Sequence, residues 1–574
     1  MKKRVLYGNA NYEEIVRKHG YFVDKTVYIE RLEMVDNAVF LRPRRFGKSL
    51  WCRILECYYN IAQRDQFDEL FGQTYIGQHP TPLRNAFFVL HLDFSVVDPT
   101  GSLDEIEASF NHHCNLKMQT MVGRCAAWFP EPPTLSVTDR AAGNLETILT
   151  TIEQQGLPAL YVIIDEYDNF ANQLIVAHKD HLYRQLTADD SFLKTFFKTL
   201  KAGRKSGALA NIFITGVLPI TMDDLASGFN IATYLTLDPE FEYLLGFTQS
   251  EMETLLDSIY ADYQFDPVTR GDVLTVLKQQ YNGYHFVTTD GETLYNSTIV
   301  LFFLDQFCRH KQIPEYLIDM NLKTDLSWVK RITSAYPGST EEFVDHLTTA
   351  NRIGYDRQFL IAKFNMAQFF EKGFFPISFF YLGMLTKQDD FFLTLPNLNM
   401  RQIFVEYFNE LHHVDVSTRY TEMMRQFTQD LDVAALFAGY WEQYVAQLPD
   451  AIFQQVNENF YRTTFYELCS RYLSKWFTWN VERSYPQGRS DLEFVGKYHE
   501  RFAGVRIVIE FKYYSNAEFA KLKTPLAEFR LQPADTEQIA GYVAGLRQEY
   551  PEARVTQYVI YCIGNQGGRV FAVR

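Results

Sequence analysis

The sequence has no apolar run approaching the roughly 18 residues that a membrane-spanning helix needs. Its start, Met1-Lys2-Lys3-Arg4 followed by Tyr7, Asn9 and Asn11, lacks the apolar stretch of a secretory signal. Both absences predict a cytoplasmic chain with no membrane partner. Cysteine is sparse and scattered, at Cys52, Cys57, Cys114, Cys125, Cys308, Cys469 and Cys562, with no C-x-x-C pair. An odd count without metal-ligand spacing predicts reduced thiols, with neither disulfides nor zinc. Positive charge is in deficit, 55 Lys and Arg against 70 Asp and Glu for a formal net charge of −15, which argues against a protein that coats DNA generally. A local basic groove and acidic metal sites remain compatible with that balance. Internal repeats and low-complexity tracts are lacking as well.

What the chain has in plenty is aromatic. With 48 Phe, 36 Tyr, 47% hydrophobic and 22% charged residues it is globular, with aromatic-rich cores. Its 574 residues exceed what one core organises and predict three or four domains. The most informative stretch is Phe40-Leu41-Arg42-Pro43-Arg44-Arg45-Phe46-Gly47-Lys48-Ser49-Leu50. Gly47, Lys48 and Ser49 match the end of a G-x-x-x-x-G-K-[ST] phosphate loop, in which backbone N–H groups cradle phosphates, the lysine reaches the β and γ phosphates and the hydroxyl holds Mg²⁺. The first glycine is missing, and Arg42 stands in its place. Context supplies what the pattern lacks: Asn37 to Leu41 reads as a buried strand, and Leu50 to Tyr59 has helical apolar spacing. Arg42, Arg45, Gly47, Lys48 and Ser49 are therefore the candidate nucleotide contacts; the plain alternative is a basic surface turn.

Leu160-Tyr161-Val162-Ile163-Ile164-Asp165-Glu166-Tyr167-Asp168 is an apolar run that ends in carboxylates. It is expected as the central parallel strand, with its carboxyl end beside the phosphate loop. Asp165 then holds Mg²⁺ through water and Glu166 orients the attacking water. Asn211 to Val217 is a further strand. Asp93 and Ser95 close another, either over the phosphates or in a solvated turn.

Tyr21-Phe22-Val23-Asp24-Lys25-Thr26, Arg42 to Ser49, His91-Leu92-Asp93-Phe94-Ser95, Ile164 to Asp168 and Thr215-Gly216-Val217 resemble the bacterial AAA-ATPase-like family that carries a C-terminal restriction-type nuclease domain. In that family Arg-Pro-Arg-Arg-Phe-Gly-Lys-Ser is the usual phosphate loop, so Arg42 is a family trait. The resemblance implies ATP and Mg²⁺ as ligands, with tight binding and slow hydrolysis in a loop without its first glycine. It also implies Thr215 as a γ-phosphate sensor, and it places Tyr21 and Phe22 beside the nucleotide, where either stacks on the base or, as the plainer role for each alone, packs in the core. The fold class implied is α/β: a P-loop AAA or STAND-like ATPase core with a helical, winged-helix-like lid, followed by a restriction-endonuclease-like α/β domain. The expected boundaries are 1–245, 246–450 and 451–574. Strands near 37–41, 87–93, 160–164 and 211–217 alternate with helices, as a doubly wound core requires. Thr248 followed by Glu251 predicts a capping box that opens the lid. Phe379 to Leu385 and Phe391 to Asn397 predict a helix and a hairpin, and 415–450 a helical linker.

A second constellation lies near the C-terminus. Gly488 to Phe494 alternates like a strand, and Arg506-Ile507-Val508-Ile509-Glu510-Phe511-Lys512 is a buried strand ending in E-x-K. An acidic residue followed by such a strand is the PD-(D/E)xK arrangement, and a period of two puts Glu510 and Lys512 on one face. Asp491 and Glu510 are hard oxygen ligands for Mg²⁺ or Mn²⁺, and Lys512 positions or deprotonates the attacking water. Ser490 replaces the proline of the motif's name. The family's further carboxylate falls on Glu458, which shares a helical face with Tyr461, Phe465, Leu468 and Tyr472; Glu467 is the runner-up, on a face expected to be solvated. Gln538 and Tyr542 resemble the Q-x-x-x-Y helix of the RecB-like nuclease branch, which implies that the glutamine contacts the site, the plain alternative being a glutamine on a helix surface; Val559 to Ile563 is expected as the closing strand. The implied function is an ATP-binding, metal-dependent phosphodiester hydrolase whose nuclease access follows ATP state. The alternative is a nucleotide-dependent switch that binds nucleic acid or a partner without cleavage. The expected partner is nucleic acid, DNA foremost, with a homo-oligomer the other association considered.

Overall fold

The runs Ala38–Leu41 (β1) and Leu160–Asp165 (β3) are buried at every residue, the pattern of strands covered on both faces. In the computed structural model they belong to one parallel sheet with Phe88–Asp93 (β2), Leu209–Gly216 (β4) and Thr233–Tyr234 (β5), in the order β2-β3-β4-β1-β5. The structure describes residues 3–225, 228–318, 328, 330–332, 337–361, 364–485 and 488–573. Helices Leu103–Arg124, Ala141–Gln155 and Phe192–Ser206 pack together over this sheet, while Lys48–Tyr59 packs against β2 and β3. The acidic strand β3 is not the central one. That place belongs to β4, which separates β3 from β1 and pairs Thr215 with Phe40 and Phe213 with Ile163.

Thr248 and Glu251 form the expected capping box at the start of helix Gln249–Tyr263. Helices Arg270–Tyr281 and Ser297–His310 follow. Strands Arg352–Gly354 (β6), Thr386–Lys387 (β7) and Phe392–Thr394 (β8) make a small antiparallel sheet beside helix Phe375–Tyr381. Among the described residues no helix is long and apolar enough to cross a membrane.

The third unit is a mixed sheet of Phe477–Tyr485 (β9), Gly488–Gly496 (β10), Val505–Tyr514 (β11), Arg554–Ile563 (β12) and Gly567–Val573 (β13), in the order β13-β12-β11-β10-β9. Only the β11–β12 pair is parallel. Strand β12, expected to close the sheet, is interior, and β13 forms the edge. Alternation along β11 splits its side chains between two cores: Ile507, Ile509 and Phe511 face helix Glu458–Leu473, while Val508 joins Ile539, Val543 and Leu546 of helix Pro533–Glu549. Residues 415–450 are not a linker. Helices Thr421–Asp430 and Val433–Gln443 cover this sheet, with the Phe427 ring 6.0 Å from Phe494 and the Phe437 ring 5.6 Å from Phe465.

Two candidate catalytic sites

The loop after β1 turns through positive φ at Arg45 (70°) and Gly47 (96°), and the next helix starts at Lys48. Lys48 is buried; its Nζ donates to the carbonyls of Arg42 (3.2 Å) and Pro43 (3.1 Å) and lies 3.5 Å from Glu166 Oε1. Gly47, Lys48, Ser49, Arg45 and Glu166 line a cavity of about 220 Å³ whose far wall is apolar, with Phe22, Leu244 and Phe247. Tyr21 is turned away from it and donates to Asp262 at 2.7 Å. Lid residues hold the loop from outside: Asn296 Nδ2 donates to the Arg44 carbonyl (3.3 Å), the Thr298 amide to Arg45 (3.0 Å) and the Gly246 amide to Phe46 (3.2 Å).

Asp165 ends β3 with its carboxylate hydrogen-bonded by Ser49, and burial raises its pKa. Its Oδ1 is buried without a hydrogen-bond partner. Glu166 follows in a left-handed conformation, φ 51°. Asp168 is fully buried and accepts from the amides of Val217 (3.2 Å) and Leu218 (2.7 Å); burial pushes it up to about 6. A Cβ on Gly216 would stand 2.3 Å from Asp168 Oδ1, which explains the glycine beside Thr215.

Two nucleotide-site expectations are corrected. The Arg42 guanidinium lies between the rings of Phe40 (4.4 Å) and Phe286 (4.5 Å) and donates to the carbonyls of Leu41, Thr236 and Glu242. Burial lowers its pKa to about 9. The side chain thus ties the end of β1 to the lid, and only the Arg42 carbonyl meets Lys48. Thr215 is buried with its hydroxyl donated to the Phe40 carbonyl at 2.8 Å, because β4 lies in register beside β1; it does not line the cavity. Asp93 caps its own turn by accepting from the Ser95 amide (2.9 Å), so neither residue reaches the cavity.

In the third unit Lys512 Nζ is 2.9 Å from Glu510 Oε1 and 3.1 Å from Gln538 Oε1, and Gln538 Nε2 donates to Glu510 Oε1 at 2.6 Å. Gln538 also donates to the Tyr542 hydroxyl, one helical turn on, at 2.6 Å. Asp491 lies one step beyond the Leu492–Ile509 pair and accepts from the Phe511 amide at 2.7 Å. Burial, then the Asp491 charge, push both Glu458 and Glu510 up to about 7. Glu510 Oε2 is buried without a partner. Glu467, expected on a solvated face, is fully buried and paired with Arg471.

Sequence reasoning missed Arg462, Glu482 and Asp535. Arg462, buried one turn after Glu458, donates to Asp491 Oδ1 (3.0 Å), Glu482 Oε1 (2.9 Å) and Asn459 Oδ1 (2.8 Å). Glu482 breaks the regularity of β9 at φ 55° and also pairs with Arg401 of helix Leu398–Leu411 at 3.4 Å. Asp535 accepts from Tyr561, and its charge raises Glu458. Spacing carried part of the signal, since Arg462 is four residues after Glu458 and Asp535 three before Gln538.

A parallel sheet with Gly-Lys-Ser between β1 and its helix defines a P-loop nucleotide-binding domain, and a mixed sheet presenting Asp491, Glu510 and Lys512 defines a restriction-endonuclease-like one. Residues 6–226 match the family model described as predicted AAA-ATPase, and residues 456–571 match the PD-(D/E)XK nuclease superfamily. The chain carries an AAA-ATPase-like domain and a C-terminal PD-(D/E)XK domain, a pairing that supports an enzyme with ATPase and nuclease activity. No curated protein matches it.

Proposed function

We propose that this chain binds ATP in the Lys48 cavity and cleaves nucleic acid, DNA foremost, at Asp491, Glu510 and Lys512, with nucleotide state controlling the nuclease. The observation that carries this reading is a repeated one: Asp165 Oδ1 and Glu510 Oε2 are both buried carboxylate oxygens without a partner. Each lies in a site that also holds a buried or half-buried lysine. A buried carboxylate oxygen left without a partner is costly, and a divalent cation at each site would relieve that cost. Ser49 and Asp165 would hold Mg²⁺ at the first site, and Asp491 with Glu510 would hold Mg²⁺ or Mn²⁺ at the second, where it supplies Lewis-acid stabilisation. Lys48 exchanges its loop carbonyls for phosphate oxygens, and Glu166 orients water. At the second site Lys512, fixed by Glu510 and Gln538, positions the attacking water. Glu458 accepts a proton from it. The functional units are assigned as 1–245, 246–450 and 451–574, with helices Thr421–Asp430 and Val433–Gln443 of the second packing on the third.

Control by nucleotide state is supported by two sets of contacts. The lid donates to the phosphate-loop carbonyls of Arg44, Arg45 and Phe46. A chain of ion pairs, Arg401 to Glu482 to Arg462 to Asp491, joins helix Leu398–Leu411 to the nuclease carboxylate. The test is one preparation assayed for ATP binding and for Mg²⁺-dependent cleavage of linear DNA. Asp491→Ala and Lys512→Ala should abolish cleavage and leave ATP binding intact, while Lys48→Ala should abolish ATP binding. Cleavage that survives both nuclease substitutions would favour the binding-only switch, a reading that gains weight from the Arg462 guanidinium already seated on Asp491.

A further inference from the structure

We propose that Cys52, His91 and Asp165 form a site for a thiophilic divalent cation of the zinc class, on the flank of the nucleotide site. The Cys52 sulfur, an imidazole nitrogen of His91 and a carboxylate oxygen of Asp165 all lie within 4.8 Å of one another, the only such set of three among the described residues. Tetrahedral zinc with bonds of about 2.0–2.3 Å places its ligand atoms roughly 3.5 Å apart, so small side-chain movements close the site. The placement follows from the fold. His91 on β2 is in register with Ile163 on β3, two residues before Asp165 and on the same side of the sheet. Cys52 comes down onto these strands one turn after Ser49, from helix Lys48–Tyr59.

Three further observations point to a ligand. Asp165 Oδ1 and His91 Nε2 are both buried without a partner. His91 Nδ1 meets Glu56 Oε2 at 2.8 Å, and Glu56 is itself held by Arg53. A carboxylate on one imidazole nitrogen fixes the ring and directs the other nitrogen outward, the arrangement that orients metal-binding histidines. A second cavity, of about 270 Å³, reaches His91 and is lined also by Glu56, Asp93, Arg53, Lys117 and Arg124, with no residue shared with the nucleotide cavity. Sulfur, nitrogen and oxygen donors in one set select Zn²⁺ or Co²⁺ over Mg²⁺, and binding releases the Cys52 proton to solvent. The consequence rests on the ATP reading: Asp165 engaged by this cation is withdrawn from Ser49 and from Mg²⁺, so thiophilic metal and MgATP exclude one another.

The test is a titration of the full-length, chelator-treated chain with Co²⁺. One equivalent should give a sulfur-to-cobalt charge-transfer band that Zn²⁺ displaces. Cys52→Ser and His91→Ala should remove the band, and Glu56→Gln should weaken binding at least tenfold, with circular dichroism confirming that each variant is folded. Absence of the band in the parent, or its persistence in folded Cys52→Ser, would overturn the site. Lys48→Ala should retain the band, so a failed ATP assignment leaves this result readable by itself.

Discussion

Arg462 shows how much one side chain decides. Its guanidinium occupies the Asp491 oxygen that faces helix Glu458–Leu473, and both residues are buried. Removing one partner of such a pair strands the other charge at a cost of about 3 kcal/mol. Arg462→Ala should therefore lower the melting temperature, and Mn²⁺ should raise it more in the variant than in the parent, because the cation replaces the lost guanidinium; equal metal shifts by differential scanning fluorimetry would contradict this. The carboxylates give a pH signature. Glu458 and Glu510, raised from the ordinary glutamate value to about 7, hold their protons in the folded state across pH 4.5–7 while the unfolded chain has released them. The folded state binds more protons in that window, so metal-free stability falls as pH rises through it, and cleavage should rise over the same range as the proton acceptor Glu458 and the metal ligand Glu510 ionise. Glu458→Gln together with Glu510→Gln should flatten the stability profile from pH 5 to 8 in thermal melts. Legibility at this scale was uneven. Period two puts Glu510 and Lys512 on one face, and Gln538 is placed with them by resemblance alone, whereas a basic residue such as Arg42 in a phosphate loop reads as a phosphate contact until its flanking rings are seen.

Elements were legible where burial is two-sided. β1 and β3 announce themselves as runs buried throughout, β2 and β4 as apolar runs interrupted at His91 and Asn211, and the Thr248 cap marks the lid because a capping box is a local signature. Strand order is not local, so nothing in the runs themselves placed β4 between β1 and β3. The same limit hid β9 and β13, polar-flanked edge strands, and the role of residues 415–450. Helices 421–430 and 433–443 read as a linker because their apolar residues match a surface that only the folded sheet provides. A Cβ on Gly568 of β13 would lie 2.5 Å from the Phe437 ring, a measure of how closely helix and sheet approach. A fragment of residues 451–574 should accordingly fail to melt cooperatively, while 413–574 should do so; cooperative melting of the shorter piece by circular dichroism would refute the assignment. Phe437→Ala in the full chain should cost about 3 kcal/mol or more.

Over the whole molecule, the proposed control of the nuclease by nucleotide state is testable without touching the Lys48 cavity or the Asp491, Glu510 and Lys512 cluster. Arg401 lies on helix Leu398–Leu411 and pairs with Glu482 of β9 at 3.4 Å. Arg401→Ala should leave ATP affinity unchanged and make cleavage rates equal with and without ATP, measured on one DNA substrate; an unaltered ATP response would remove this helix from the coupling. The acidic net charge of −15 also predicts that cleavage slows steeply with added salt only if substrate approaches through a local basic surface.

Lys48 is already engaged by the carbonyls of Arg42 and Pro43, and Arg42 is in turn wedged between two rings. A triphosphate arriving at this loop must outcompete a pair of backbone dipoles anchored in the core. Under the proposed ATP reading, association at this loop would be a partner exchange for Lys48, with release of the Arg42 and Pro43 carbonyls as a step of its own.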